Sequence, residues 1–147
     1  MSPSTPQVAA PERAVEREAL DPQRLTELIA GYALDKKAQD VVALDLGGIS
    51  GFTDAFLICT AASDRQAKAI HDAIHIGLKN DHGLLPRRVE GLGEARWILM
   101  DYLDVVVHIF TPDTRDFYRL ESLWGDVPRR AFVAGPDGDL QPADTAG

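Results

Sequence analysis

The chain has 147 residues, a formal net charge of -8 and a single cysteine. That length favours one domain that buries a core without staples, and the acidic balance disfavours a protein that grips nucleic acid through counterion release. No apolar run spans a bilayer, and Met1 to Ala10 lack the basic start and apolar centre of a secretory signal. Glu12, Glu16 and Glu18 argue against a mitochondrial transit peptide. Cys59 alone cannot form an internal disulfide, which points to a reducing, cytoplasmic compartment. The longest basic clusters are the pairs Lys36-Lys37, Arg87-Arg88 and Arg129-Arg130, read as solvated surface. An acidic surface suits a basic protein partner better than a phosphate backbone.

Residues 1–19 are rich in Pro, Ala and Glu and read as a disordered tail. Asp21 is a good N-cap and Pro22 suits the first helical position. Leu20 and Leu25 are spaced for a hydrophobic staple across that cap. Leu25, Leu28, Ile29 and Tyr32 continue at helical spacing, and the helix is expected to end near Lys36-Lys37. Val41 to Leu46 reads as a strand broken by Gly47-Gly48. Asp54 to Thr60, with Phe56-Leu57-Ile58-Cys59 inside it, fits a strand buried on both faces. The short link predicts that these two strands pair antiparallel.

Ser63-Asp64-Arg65-Gln66 is a capping box that opens a second helix. Ala67, Ile70, Ile74 and Leu78 mark its apolar face, and Gly83 marks its end. Pro86 to Glu90 reads as a short edge strand, since proline cannot donate to a ladder. Ala95 to Asp101 and Val105 to Phe110 form a hairpin through Tyr102-Leu103-Asp104. Thr111-Pro112-Asp113 starts a third helix, with Phe117, Leu120 and Trp124 at helical spacing. The fold expected is α/β (α+β): a mixed five-stranded sheet with flanking helices, formed by residues 20–128. Residues 129–147 read as a disordered tail.

Five separated motifs then resemble one family. They are Asp54-Ala55-Phe56; Ser63-Asp64-Arg65-Gln66; Val89-Glu90-Gly91 with Trp97; Asp101 to Phe110; and Phe117-Tyr118-Arg119-Leu120-Glu121-Ser122-Leu123-Trp124-Gly125. Their sequence and order resemble the ribosomal silencing factor (RsfS, iojap-like) family over about residues 22–128. The resemblance implies a nucleotidyltransferase-like core without catalytic residues. It implies binding to the large ribosomal subunit through ribosomal protein fourteen, steric blocking of subunit association, repression of translation, and homodimers when free. It implies a partner-binding set of Trp97, Met100, Asp101, Tyr102 and Asp104, with no cofactor, no metal, no specific nucleic-acid contact and no membrane. Two positions depart from the family. Leu103 stands where glycine is usual in the hairpin, and Ala61-Ala62 replace a more Gly-rich approach to Ser63.

Two other readings remain. One is an assembly factor for the large subunit, which shares the partner and differs in timing. The other is a metal-dependent nucleotidyltransferase, which needs paired acids on one strand face. Asp101 and Asp104 are three residues apart across a turn, so they need not converge. Turn chemistry and a polar rim are their simpler roles. Trp97 has a core reading, one face of a twice-covered sheet, and a functional one, a partly exposed anchor. Trp97, Leu99 and Asp101 share one strand face, and Ile98, Met100 and Tyr102 the other. His71 and His75 lie one helical turn apart, a spacing able to hold zinc, but solvated histidines are the simpler reading. His108 reads as a satisfied strand histidine and Cys59 as an inert buried thiol.

Overall fold

The structure is a computed structural model that describes residues 20–47, 49–51, 53–135 and 140–142. The expected tail over residues 1–19 lies outside the described residues. Helix α1 (Pro22–Asp35) starts as predicted, with the Asp21 carboxylate accepting from the Arg24 N–H at 2.8 Å. Strands β1 (Gln39–Asp45) and β2 (Ala55–Thr60) follow and pair antiparallel. Helix α2 (Asp64–His82) is capped by Ser63 and ends at Gly83 with φ 65°, the left-handed conformation that glycine adopts freely.

The capping box does more than close its own helix. The Gln66 carbonyl oxygen accepts from the Ala62 N–H, and its amide donates to the Lys36 and Lys37 carbonyls at 3.1 and 3.2 Å. One side chain thereby ties the end of α1 to the start of α2. Farther along, Gly77 lies against the Tyr32 ring, whose hydroxyl donates to Asp81 at 2.8 Å.

Strands β3 (Arg88–Glu90), β4 (Trp97–Asp101) and β5 (Val105–Phe110) form an antiparallel run, with β3 at the sheet edge. Beyond them, the single helix expected over 112–124 is two pieces, α3 (Pro112–Tyr118) and α4 (Leu120–Leu123). They are separated by Arg119, whose φ of 48° no helix interior tolerates.

The chain then departs from the five-strand expectation. Arg129–Ala134 is strand β6, antiparallel to β1, and Leu140–Pro142 is strand β7, antiparallel to β6. The sheet has seven strands in the order β3-β4-β5-β2-β1-β6-β7, with β2 and β5 as its parallel pair. Residues 129–134 and 140–142, read as tail, are therefore part of the fold. Their sequence hid this because Phe132 is the one buried side chain of β6. What recruits β6 is the free edge of β1, a distant feature that local pattern does not report.

Helices α1 and α2 cover one face of the sheet. Leu25, Ile29, Ile70, Ile74 and Leu78 pack there against Val41, Leu57, Ile98, Met100, Val107 and Phe132. The opposite face carries Val42, Leu44, Phe56, Ile58, Val106 and Phe110, covered by Leu120, Trp124 and Val127. Arg115 pins that cover down. Its guanidinium donates to the Asp40 carbonyl (2.8 Å), the Thr60 hydroxyl (2.7 Å) and the Glu121 carboxylate (2.7 Å). The Asp40 carbonyl is available because the β1–β2 register shifts between Gln39 and Val42. Burial pushes the Glu121 carboxyl up, but the hydrogen bond and charge of Arg115 outweigh it and hold the group below its ordinary range.

Candidate functional site

The second face is incompletely covered where β4 and β3 approach the sheet edge. β4 alternates half-buried and buried, so Trp97, Leu99 and Asp101 line the open face and Ile98 and Met100 the covered one. Across the ladder, Trp97 pairs with Phe110, Leu99 with His108 and Asp101 with Val106. On the other side Arg88 lies beside Asp101 and Glu90 beside Leu99. The result is an apolar strip rimmed by charge.

Aromatic rings continue that strip onto α3. Trp97 lies 5.0 Å from Phe110 and 4.8 Å from Tyr118, and Tyr118 lies 5.0 Å edge-on from Phe117. Phe117 is 78 % exposed and Tyr118 50 %. Helical spacing alone sets Phe117, Leu120 and Trp124 on one helix face. The break at Arg119 turns Phe117 outward instead. Phe117 is thus a surface residue, as is its neighbour Tyr118.

Trp97 is held from beneath. Its indole N–H donates to His108 Nδ1 at 3.1 Å. Accepting at Nδ1 fixes the neutral tautomer with the proton on Nε2. His108 is buried, and burial pushes its pKa down to about 4. Its Nε2 has no hydrogen-bond partner among the described residues, while its ring meets Phe56 edge-on at 4.6 Å. The reading of His108 as a fully satisfied histidine is corrected at that one atom.

The five residues implied as partner contacts divide between the two faces. Trp97 and Asp101 lie on the open strip, and Asp104 is half-buried at the hairpin. Met100 is fully buried and Tyr102 is 4 % exposed, both within the core beneath α1 and α2. Strand alternation sends their side chains away from the open face, so those two offer a partner no surface. The Asp101 carboxylate accepts from the Leu103 N–H at 2.8 Å and faces Arg88 at 3.7 Å and Arg87 at 4.0 Å. Burial, and then the charge of Asp54, raise the Asp104 carboxyl above its ordinary range.

No group of three or more His, Cys, Asp or Glu able to hold a metal assembles among the described residues. His71, expected to be solvated, is buried, with Nδ1 2.8 Å from the Asp72 carboxylate and its ring 5.6 Å from His75. The Cys59 thiol is buried and its pKa is pushed up to about 12. No helix among the described residues is long and apolar enough to cross a membrane.

Fold and surface together define a mixed-sheet α/β protein whose distinguishing feature is an exposed aromatic strip. The chain belongs to the family described as "Ribosomal silencing factor during starvation", whose model matches residues 19–146. It is 46 % identical over 107 residues to the ribosomal silencing factor RsfS of Halalkalibacterium halodurans, covering 72 % of this chain and 90 % of the relative. It is 43 % identical over 109 residues to that of Bacillus subtilis, covering 74 % and 92 %. An X-ray structure of a Chromobacterium violaceum protein superimposes with a TM-score of 0.68 at 28 % identity, over 86 % of this chain and 94 % of that one.

Proposed function

We propose that this protein binds the large ribosomal subunit through ribosomal protein fourteen and sterically prevents the small subunit from joining. Family membership supplies the ribosomal context. The observation that carries the mode of action is the row of rings Trp97, Tyr118 and Phe117, left half open beside the charged rim of Asp101, Arg88 and Glu90. Exposed aromatics with a polar rim are the usual composition of a binding hot spot. The indole N–H is already taken by His108, so Trp97 offers a partner its apolar ring.

The protein acts by occupancy and performs no chemistry in this reading. A binder of that kind shifts an equilibrium through its different affinity for two states, here the free large subunit and the joined ribosome. At about a hundredfold excess over its dissociation constant, exclusive binding to the free subunit favours separation by roughly 2.7 kcal/mol. Translation is thereby repressed reversibly and stoichiometrically, in the cytoplasm, and the free protein pairs as a homodimer. Titration calorimetry of the full chain against isolated ribosomal protein fourteen tests the partner. Saturable binding supports the reading, and no heat at micromolar concentrations of both proteins overturns it.

A further inference from the structure

Leu103 stands at the tip of the β4–β5 hairpin with φ 75°. The Asp104 N–H donates to the Tyr102 carbonyl at 2.9 Å, which closes a three-residue γ-turn with Leu103 at its centre. A positive φ crowds any β-carbon, so leucine at this point carries backbone strain that glycine would not, and that asparagine carries less of. The side chain returns little to the free fold. It is 48 % exposed and belongs to neither core cluster. A strained backbone and an unburied apolar side chain thus coincide at one position.

We propose that Leu103 is a partner contact, an apolar knob that the ribosomal protein covers and that sets the affinity of this chain for it. The inference rests on the function proposed above and adds a residue to its site. The knob is flanked in sequence by Asp101 and Asp104. Asp101 already faces Arg87 and Arg88, whereas Asp104 has Asp54 as its charged neighbour. The fitting surface is a shallow apolar recess with a cation on the Asp104 side. A basic protein provides that combination, and a phosphate backbone, repelled by the carboxylates, does not.

The test uses the full chain and three variants, Leu103→Gly, Leu103→Asn and Leu103→Met. Each is measured for its urea unfolding midpoint and for affinity to purified large subunits and to isolated ribosomal protein fourteen. Leu103→Gly and Leu103→Asn are expected to raise the midpoint while weakening both affinities about fivefold, the effect of leaving half a leucine side chain uncovered. Leu103→Met, which keeps an apolar side chain, is expected to stay within about twofold of the parent. Stability and affinity moving in opposite directions is a signature that a purely structural residue does not give. Unchanged affinity in Leu103→Gly and Leu103→Asn, or an equal loss in Leu103→Met, overturns the proposal. A loss seen with subunits and not with the isolated protein overturns the assigned partner. Failure of the unaltered chain to bind either one overturns the underlying function, and this inference with it.

Discussion

The Trp97 indole N–H donates to Nδ1 of the buried His108 at 3.1 Å, so the central aromatic of the open strip is oriented by a histidine that must stay neutral. Burial lowers the His108 pKa to about 4, against 6.5 in the unfolded chain. The unfolded state therefore takes up the proton first as pH falls. The stability conferred by neutral His108 is fully present above pH 6.5 and drains away between 6.5 and about 4. Between pH 7 and 5, where few carboxylates titrate, the loss is on the order of 2 kcal/mol. Urea titrations at the two pH values check this, with the fluorescence of Trp97 and Trp124 together as the probe. In His108→Gln, which keeps an acceptor without titrating, the pH dependence over that window should flatten.

Trp97 and Phe117 separate binding from folding in different ways. Phe117 touches Tyr118 and is otherwise mostly exposed, so Phe117→Ser should leave the unfolding free energy within about 0.5 kcal/mol of the parent. Trp97→Ala removes an indole packed at a tilt against Phe110 and Tyr118 and should cost some stability as well. As a hot spot it should also lose about 2 kcal/mol of affinity, roughly thirtyfold, for ribosomal protein fourteen. Phe117→Ser should weaken binding severalfold while the protein stays folded. Calorimetry beside thermal melts reads both effects. Full affinity in folded variants of both residues would remove the aromatic strip from the interface.

Cutting the chain after Pro128 should damage the fold. β6 supplies the buried Phe132 and an antiparallel ladder to β1, and Arg130 pairs with Glu27 of α1 at 3.2 Å. Loss of a buried phenylalanine alone costs about 3 kcal/mol or more. A chain of residues 20–128 should therefore unfold at a clearly lower urea concentration than the full protein, and Phe132→Ala should account for much of the difference. An unchanged midpoint would show that β6 is dispensable.

Gly91→Ala tests how Trp97 is seated. Gly91 has φ 83°, and a β-carbon there would overlap the Trp97 carbonyl oxygen. Backbone cannot swing aside as a side chain can, so the approach of the β3–β4 connection to Trp97 must open. The variant should lose about 3 kcal/mol or more. Gly77→Ala is the milder comparison, because the obstructing Tyr32 ring can rotate at the expense of its bond to Asp81. It should cost about 1–3 kcal/mol. Equilibrium unfolding should rank the two variants in that order.

Local chemistry made much of this fold legible. Asp21-Pro22, Ser63 with Gln66, and Gly83 announced helix ends that the structure keeps, and five of the strands fall within two residues of their predicted bounds. Alternation along β4 correctly separated Trp97, Leu99 and Asp101 from Ile98 and Met100. What failed was non-local or conformational. β6 has a single buried side chain and exists because β1 has a free edge. The break at Arg119 depends on a left-handed residue that nothing in Phe117 to Trp124 advertises, and it decides which aromatics face outward. Met100 and Tyr102 entered the implied site by motif, while strand geometry buries them.

If occupancy of the large subunit excludes the small one, sedimentation of purified subunits with rising amounts of this protein will show it. The joined-ribosome peak should fall stoichiometrically and independently of nucleotide hydrolysis. The protein should migrate with the large-subunit peak, and joining should recover when it is diluted away. Undiminished joining with the protein recovered in the joined-ribosome peak would contradict it.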